Sequence, residues 1–315
     1  MGSMAGRTSE QWQTEWTNAS NNNAELRLFA LIDSAHDKRV VQMIASECAE
    51  NECLFGYDLD SPIAKATPRL VSLSGSDTSR LQAWLLKSMV DRPIATLIAS
   101  TLHLPALAAH FRQCMDVDLE GLESMYLALW DPAILGTLIG QPDDPTLHVP
   151  GPVLKPEQVR VLAWPLSHWW YLDRDGELHD AIAFAWRTQN HQGTFNKITL
   201  DAEQVEQLVE ASVPDHLLQH IRQNQPELLE RLASSHHYRF TQQQMLRARE
   251  YGLVGTGDLV NYICLALAFG SAFDELPSMS ALLAQVEGGS MTFDQAMDKA
   301  PEDELAARET APVLL

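Results

Sequence analysis

Between Leu26 and Ile139 four short apolar runs alternate with four stretches of helical spacing, and this alternation constrains the fold more than any other feature of the chain. The runs are Leu26–Ile32 (LRLFALI), Arg69–Leu73 (RLVSL), Ile94–Ala99 (IATLIA) and Met125–Trp130 (MYLALW). Each is too short for a stable helix and carries little polar interruption, the pattern of a strand covered on both faces. Val40–Ala45, Leu81–Leu86, Leu104–Phe111 and Ile134–Ile139 instead place apolar residues three or four positions apart, the stripe of a helix lying on a sheet. A β, α, β, α order predicts an α/β lobe with a mixed, largely parallel sheet and flanking helices. No Gly-x-Gly-x-x-Gly or Walker-type loop follows any of the runs, so the usual signature of nucleotide binding is missing.

The last run gives the sharpest local reading. Met125–Pro132 (MYLALWDP) reads as a buried core strand that enters a helix, with Asp131 at the N-cap and Pro132 at the first helical position. Residues 141–157 then hold five prolines and form an irregular crossing. Val161–Leu172 and Leu178–Trp186 flank Asp173-Arg-Asp-Gly176, and an Asp-Gly turn between aromatic runs predicts a β-hairpin over 161–186. Pro165 suits an edge strand, because it cannot donate to a ladder. From Asp201 onward the apolar residues fall at helical spacing, with proline at several helix starts.

A chain of 315 residues exceeds the usual size of a single core, so division into lobes is expected. Residues 1–24 read as a flexible leader, in which Trp12 and Trp16 can dock as one helical turn. Residues 25–198 form the α/β lobe with its hairpin, 199–300 an all-α C-terminal lobe, and 301–315 a frayed tail. The formal charge is −20, and the 22 Lys and Arg are scattered. Such a surface repels phosphate backbones, so no nucleic acid is expected, and a basic protein partner is favoured. The longest apolar run, Tyr262–Phe269, is too short to span a bilayer, so no membrane association is expected either. Cys48, Cys53, Cys114 and Cys264 show no disulfide spacing, which fits free thiols in a cytoplasmic protein. Met1-Gly-Ser-Met4 reads as an addition ahead of a second start, and no signal-peptide pattern follows it.

Three groups of residues invite a chemical role. His103 and His110 lie two helical turns apart, yet no His-Glu-x-x-His or carboxylate pair accompanies them, so no metal or other cofactor is expected. Ser100 follows a strand and precedes a helix, but its flanks lack the glycines of a nucleophile elbow, and a helix cap is the simpler role. Trp164, Trp169, Trp170 and Trp186 concentrate in the hairpin, with Trp164 and Trp170 expected on one face and Trp169 on the other. At least one of these rings is a candidate anchor for a protein partner, since Trp is enriched at hot spots.

The order of segments resembles a known family, the adaptor chaperones of bacterial type VI secretion, often called Tap or Tec and defined by a numbered domain of unknown function. The matching stretches are Ala30-Leu31-Ile32-Asp33, Leu54-Phe55-Gly56, Pro68-Arg69-Leu70-Val71-Ser72-Leu73, Ile98-Ala99-Ser100 with His110-Phe111-Arg112, and Trp130-Asp131-Pro132. They cover residues 26–140, and their order and spacing, more than any one of them, carry the resemblance. Ala128 and Ala133 stand where the family usually has arginines. The resemblance implies a non-enzymatic adaptor with no catalytic residues. Such adaptors bind the N-terminal region of a toxic effector and load it onto the C-terminal region of a cognate valine-glycine repeat (VgrG) spike protein. With the tryptophan argument, it nominates Asp33, His110, Arg112, Trp130, Asp131, Trp164, Trp169 and Trp170 as partner-binding residues, in an expected cleft between the lobes. The rival readings are an immunity protein that neutralises a toxin and a hydrolase using Ser100 with His103 and an aspartate.

Overall fold

Three of the four apolar runs become strands with both faces covered, and the fourth does not. The computed structural model describes residues 4–35, 37, 39–58, 61–73, 79–92, 94–120, 124–182, 197–308 and 313. The chain begins with α1 (Met4–Asn22), β1 (Arg27–Asp33), α2 (Arg39–Ser46), β2 (Asn51–Cys53) and β3 (Pro68–Leu73). It continues with α3 (Arg80–Asp91), β4 (Ala95–Ser100), α4 (Leu104–Met115), β5 (Asp116–Leu119), β6 (Met125–Tyr126) and α5 (Pro132–Ile139). Then come α6 (Pro156–Ala163), β7 (Leu166–Leu172), β8 (Leu178–Asp180), β9 (Thr199–Leu200) and α7 (Ala202–Asn224). The remaining helices are α8 (Pro226–Leu229), α9 (His237–Glu250), α10 (Thr256–Phe269), α11 (Pro277–Glu287), α12 (Phe293–Met297) and α13 (Glu302–Ala306).

The main sheet has the order β2-β3-β1-β4-β7-β8, and each neighbouring pair is antiparallel. The expectation of a largely parallel sheet is therefore corrected. β3 and β4 both run antiparallel to β1, so they are parallel to each other, and α3 is the crossover between them. β1 occupies the gap that this crossover leaves, with Leu31 opposite Leu70 on one side and Thr96 on the other. A helix between two strands sets their relative direction, but another strand can pair between them, as in a split βαβ unit.

Alternation along the strands separates two cores. Phe29, Leu31, Leu70, Ile98, Trp169 and Tyr171 join one, under α4, α5 and α6. Leu28, Ala30, Ile32, Val71, Leu97 and Trp170 join the other, with α1, α2 and α3. Period-two side-chain direction gives this result when both faces are covered. Residues 4–22, expected within a flexible leader, are instead a helix whose Trp12, Trp16 and Ala19 are buried in the second core. Removing it would expose part of one sheet face.

The hairpin forms around Asp173 to Glu177, with Gly176 at φ 81° supplying the turn's left-handed residue. Its first strand starts only at Leu166, because residues 156–163 are helical. β7 is an internal strand rather than an edge, and Pro165 lies just before it. Trp186 lies outside the described residues.

The expected strand Met125–Trp130 shrinks to the two residues of β6, in a second sheet ordered β6-β5-β9. Leu127 and Leu129 still bury themselves, but in irregular chain. The predicted cap is present, since the Asp131 carboxylate accepts the amides of Ala133 and Ile134, with Pro132 at the first position of α5. Across the proline-rich crossing, Gly151 sits so close to the Thr137 carbonyl that a side chain could not fit.

The chain divides into Met1–Ala211 and Ser212–Leu315, a boundary inside α7 rather than at 199. Leu200 and Leu208 belong to the sheet unit's core, which explains the displacement. In the second unit Leu217, Phe240, Tyr262, Ile263, Phe273 and Leu283 share one core. Buried Asp274 accepts the hydroxyls of Tyr251 and Tyr262 and pairs with Arg247 at 2.7 Å. The Arg231 guanidinium donates to the carbonyls of Leu267 and Ala268 at the end of α10, where a cation suits the helix terminus. Leu305 of α13 is buried in the same core, so part of the expected frayed tail is folded.

Candidate docking surface

The nominated residues separate into interior and surface groups. Trp169 and Trp170 are adjacent on β7, so they point to opposite faces, and they are 0% and 1% exposed. Trp169 donates its indole N–H to Thr96 Oγ1 at 2.8 Å, while Trp170 stacks on His168 at 4.6 Å. Neither can reach a partner, because β7 is internal and both faces of its sheet are covered. That corrects their nomination. The hairpin argument assumed an edge ribbon with one open face.

Trp164 is not on the strand at all. It lies in the turn after α6, 56% exposed, with its ring 6.2 Å from that of His110. His110 itself is buried, with Nε2 3.0 Å from the Leu162 carbonyl and 3.4 Å from Cys114 Sγ. Burial lowers the His110 pKa and pushes the Cys114 thiol up to about 12, so both groups are held neutral. His103 is exposed at the start of α4, so the two histidines do not share a face. Ser100 is fully buried, donates to the Pro165 carbonyl and accepts the Leu102 amide. That hydroxyl is occupied by structure, and its hydrogen bonds among the described residues are to backbone groups, not to a histidine or a carboxylate.

Three of the stretches that carry the family resemblance do meet. Leu54-Phe55-Gly56 makes the turn after β2, with Gly56 at φ 73° and its amide on the Cys53 carbonyl. Leu54 is buried beneath it, so Phe55 is turned toward the surface while still touching the core. Its ring lies 5.1 Å from that of Tyr126 and 6.0 Å, edge to face, from that of Trp130. Tyr126 is 59% exposed, on a two-residue edge strand beyond which nothing pairs among the described residues. Trp130 is half-buried directly before the Asp131 cap.

Arg112 anchors this surface from below. Its Nη2 donates to Glu52 at 2.6 Å and to the Cys53 carbonyl at 2.8 Å, tying α4 to the Phe55 turn. Asp33 ends β1 at the same end of the sheet, since it registers with Pro68, whose carbonyl accepts the Leu54 amide. The Asp33 carboxylate accepts the Ala35 amide, which makes it a turn residue. Asp131 and Arg112 therefore position the surface, whereas Phe55, Tyr126 and Trp130 present it. Phe55 and Tyr126 were not singled out from the sequence as partner residues. The signal for Phe55 was its place in a family-like stretch, and that for Tyr126 was lost by reading its run as a core strand.

Carboxylates border the rings. Asp116 lies directly opposite Tyr126 in the β5–β6 pair. Asp116 and Asp118 both pair with Lys197, at 3.2 and 2.6 Å. Elsewhere in the sheet unit, Asp144, Asp173 and His179 bring ligand-type atoms within 4.8 Å of one another, a group the sequence did not reveal. Their hydrogen bonds are largely internal: Asp144 takes the Tyr171 hydroxyl and both Thr146 donors, and Asp173 takes the amides of Asp175 and Glu177 and faces His179 Nε2 at 3.0 Å. Burial works against the His179 cation, but the Asp173 and Asp144 carboxylates outweigh it and raise its pKa. This cluster pins the hairpin turn to the 141–157 crossing.

Residues 28–148 match the family model DUF4123, Domain of unknown function. The chain thus carries a DUF4123 domain, which spans β1 through α5 and the start of the crossing and includes all three aromatic residues of the surface. No curated protein and no solved structure matches the chain. No described helix is long and apolar enough to cross a membrane.

Proposed function

We propose that this chain is an adaptor of type VI secretion, binding a toxic effector in the producing cell and loading it onto its cognate VgrG spike protein. The observation that carries the reading is the meeting of Leu54-Phe55-Gly56, Arg112 and Trp130-Asp131-Pro132, from separate parts of a DUF4123 domain, at one aromatic surface. Residues that serve only folding would be expected inside, as Trp169 and Trp170 are. An exposed Tyr beside a half-buried Phe and Trp, held on a braced turn and a capped helix, has the makeup of a binding hot spot. Rigid support matters here, because a surface already ordered before binding loses less entropy on association.

The test is co-expression with the proteins encoded beside it. A tagged copy of this chain is expected to recover both an effector-type neighbour and a spike protein. Recovery of neither contradicts the reading. An immunity protein would protect cells from the toxin when expressed alone, whereas an adaptor is required for delivery and gives no such protection.

A further inference from the structure

The charge around the aromatic surface specifies the chemistry of what docks there. Residues 50–58 and 116–131, which supply Phe55, Tyr126 and Trp130, carry eight carboxylates and no Lys or Arg. The described cations that reach this region from elsewhere are already engaged: Arg112 by Glu52, Lys197 by Asp116 and Asp118, Arg69 by Asn51 and the Ala64 carbonyl, and Lys155, which lies in the field of Glu120, by Asp201. The Lys197 ammonium has its pKa raised by its bond to Asp118, then by Asp116, so it stays charged and committed to that pair. Glu50, Asp58 and Glu120 are exposed, so negative charge faces solvent in the same segments that carry the exposed Tyr126 and the half-buried Phe55 and Trp130.

From this we infer that the Phe55–Tyr126–Trp130 surface docks a protein segment with an apolar centre and Arg or Lys at its flanks. The apolar centre covers Phe55 and the half-buried Trp130 ring. The flanking cations meet the carboxylate border, and a guanidinium can also lie over the Tyr126 ring, whose π-face attracts cations. An acidic segment would instead bring like charges together and lose affinity. An anionic membrane surface is disfavoured for the same reason. A second copy of this chain is a poor occupant too, because a two-fold contact would set one carboxylate border against another. The inference rests on the adaptor reading for the partner being a secreted client, while the charge and aromatic chemistry are properties of this surface alone.

The experiment uses the full chain and two synthetic amphipathic peptides of equal length. One carries Leu on one helical face with Arg at its borders, and the other replaces each Arg by Glu. Labelled peptide is titrated with protein and followed by fluorescence anisotropy. The Arg peptide is expected to bind, and to bind more weakly as salt is raised. Tyr126→Ala should weaken it about tenfold or more, as truncation of a hot-spot aromatic does. Tyr126→Phe should retain most of the affinity. Val254→Ser, which removes a still more exposed apolar residue in the second unit (Val254 is 79% exposed), should change nothing. The inference is overturned if the Glu peptide binds as tightly, if the Arg peptide fails to bind, or if Tyr126→Ala and Val254→Ser behave alike. It is also overturned if the chain proves a dimer that Tyr126→Asp dissociates. Because the peptides need no natural client, these outcomes stand apart from the co-expression test of the adaptor reading.

Discussion

β7 and β6 are both short aromatic strands, and they use their rings in opposite ways. β7 carries Trp169 and Trp170 in the interior of a six-stranded sheet, so each ring meets a different core. β6 carries Tyr126 on an edge of a three-stranded sheet, so its ring stays in solvent beside Phe55. Residue type is nearly the same in the two places. The number of strands beyond each one, and the cover on each face, decide whether a ring stabilises the fold or is left for a partner. Each of the following changes bears on that contrast.

The largest effect is expected inside. Trp169→Ala should cost about 3–5 kcal/mol of stability in denaturant unfolding, the range for a large aromatic lost from a packed core. It also leaves the Thr96 hydroxyl without its indole donor. A loss below about 1 kcal/mol, the usual size for a surface site, would break the contrast by showing that the interior ring is not needed. Asp131→Ala comes next, at about 1 kcal/mol, because it removes the cap of α5. Asp131→Ser should recover much of that loss, since Ser also caps. A catalytic or directly contacting carboxylate would not be rescued in this way.

These positions also show what could be read from the sequence. Asp131 and Pro132 were legible because capping depends on neighbours in the chain, and the Asp173–Gly176 turn was legible for the same reason. The strands β1, β3 and β4 were legible from their apolar runs. Their pairing was not, because α3 fixes the relative direction of β3 and β4 but says nothing of β1 inserting between them. Trp12 and Trp16 gave a hint of docking, yet a polar segment looks mobile until the sheet face it covers is known. At the surface, Trp130 was nominated and Arg112 with it. Tyr126 was hidden because a run of apolar residues cannot reveal that its strand stops after two residues. Trp169 and Trp170 were misplaced for the converse reason, since Pro165 suggested an edge and the strand begins beyond it.

A smaller, pH-dependent effect tests the buried cluster behind the hairpin. The His179 pKa is raised in the folded chain, so its contribution to stability is fully present below the ordinary histidine value and is lost as pH rises through the folded value. Wild type should therefore lose stability relative to His179→Gln as pH climbs from the ordinary histidine value into the alkaline range. Parallel pH profiles of the two proteins would remove this role. Smallest of all, Tyr126→Ala should alter unfolding stability by no more than about 0.5 kcal/mol, as expected for an exposed site. A large loss there would turn Tyr126 into a folding residue and erase the difference between the two strands.

The most direct measurement compares wild type and Tyr126→Ala in quantitative co-purification with the effector-type protein encoded beside this chain. The account predicts that wild type retains the client and that Tyr126→Ala, while folding normally, retains about a tenth or less, as for a lost hot-spot aromatic. Equal recovery by both proteins, or recovery by neither, would contradict it.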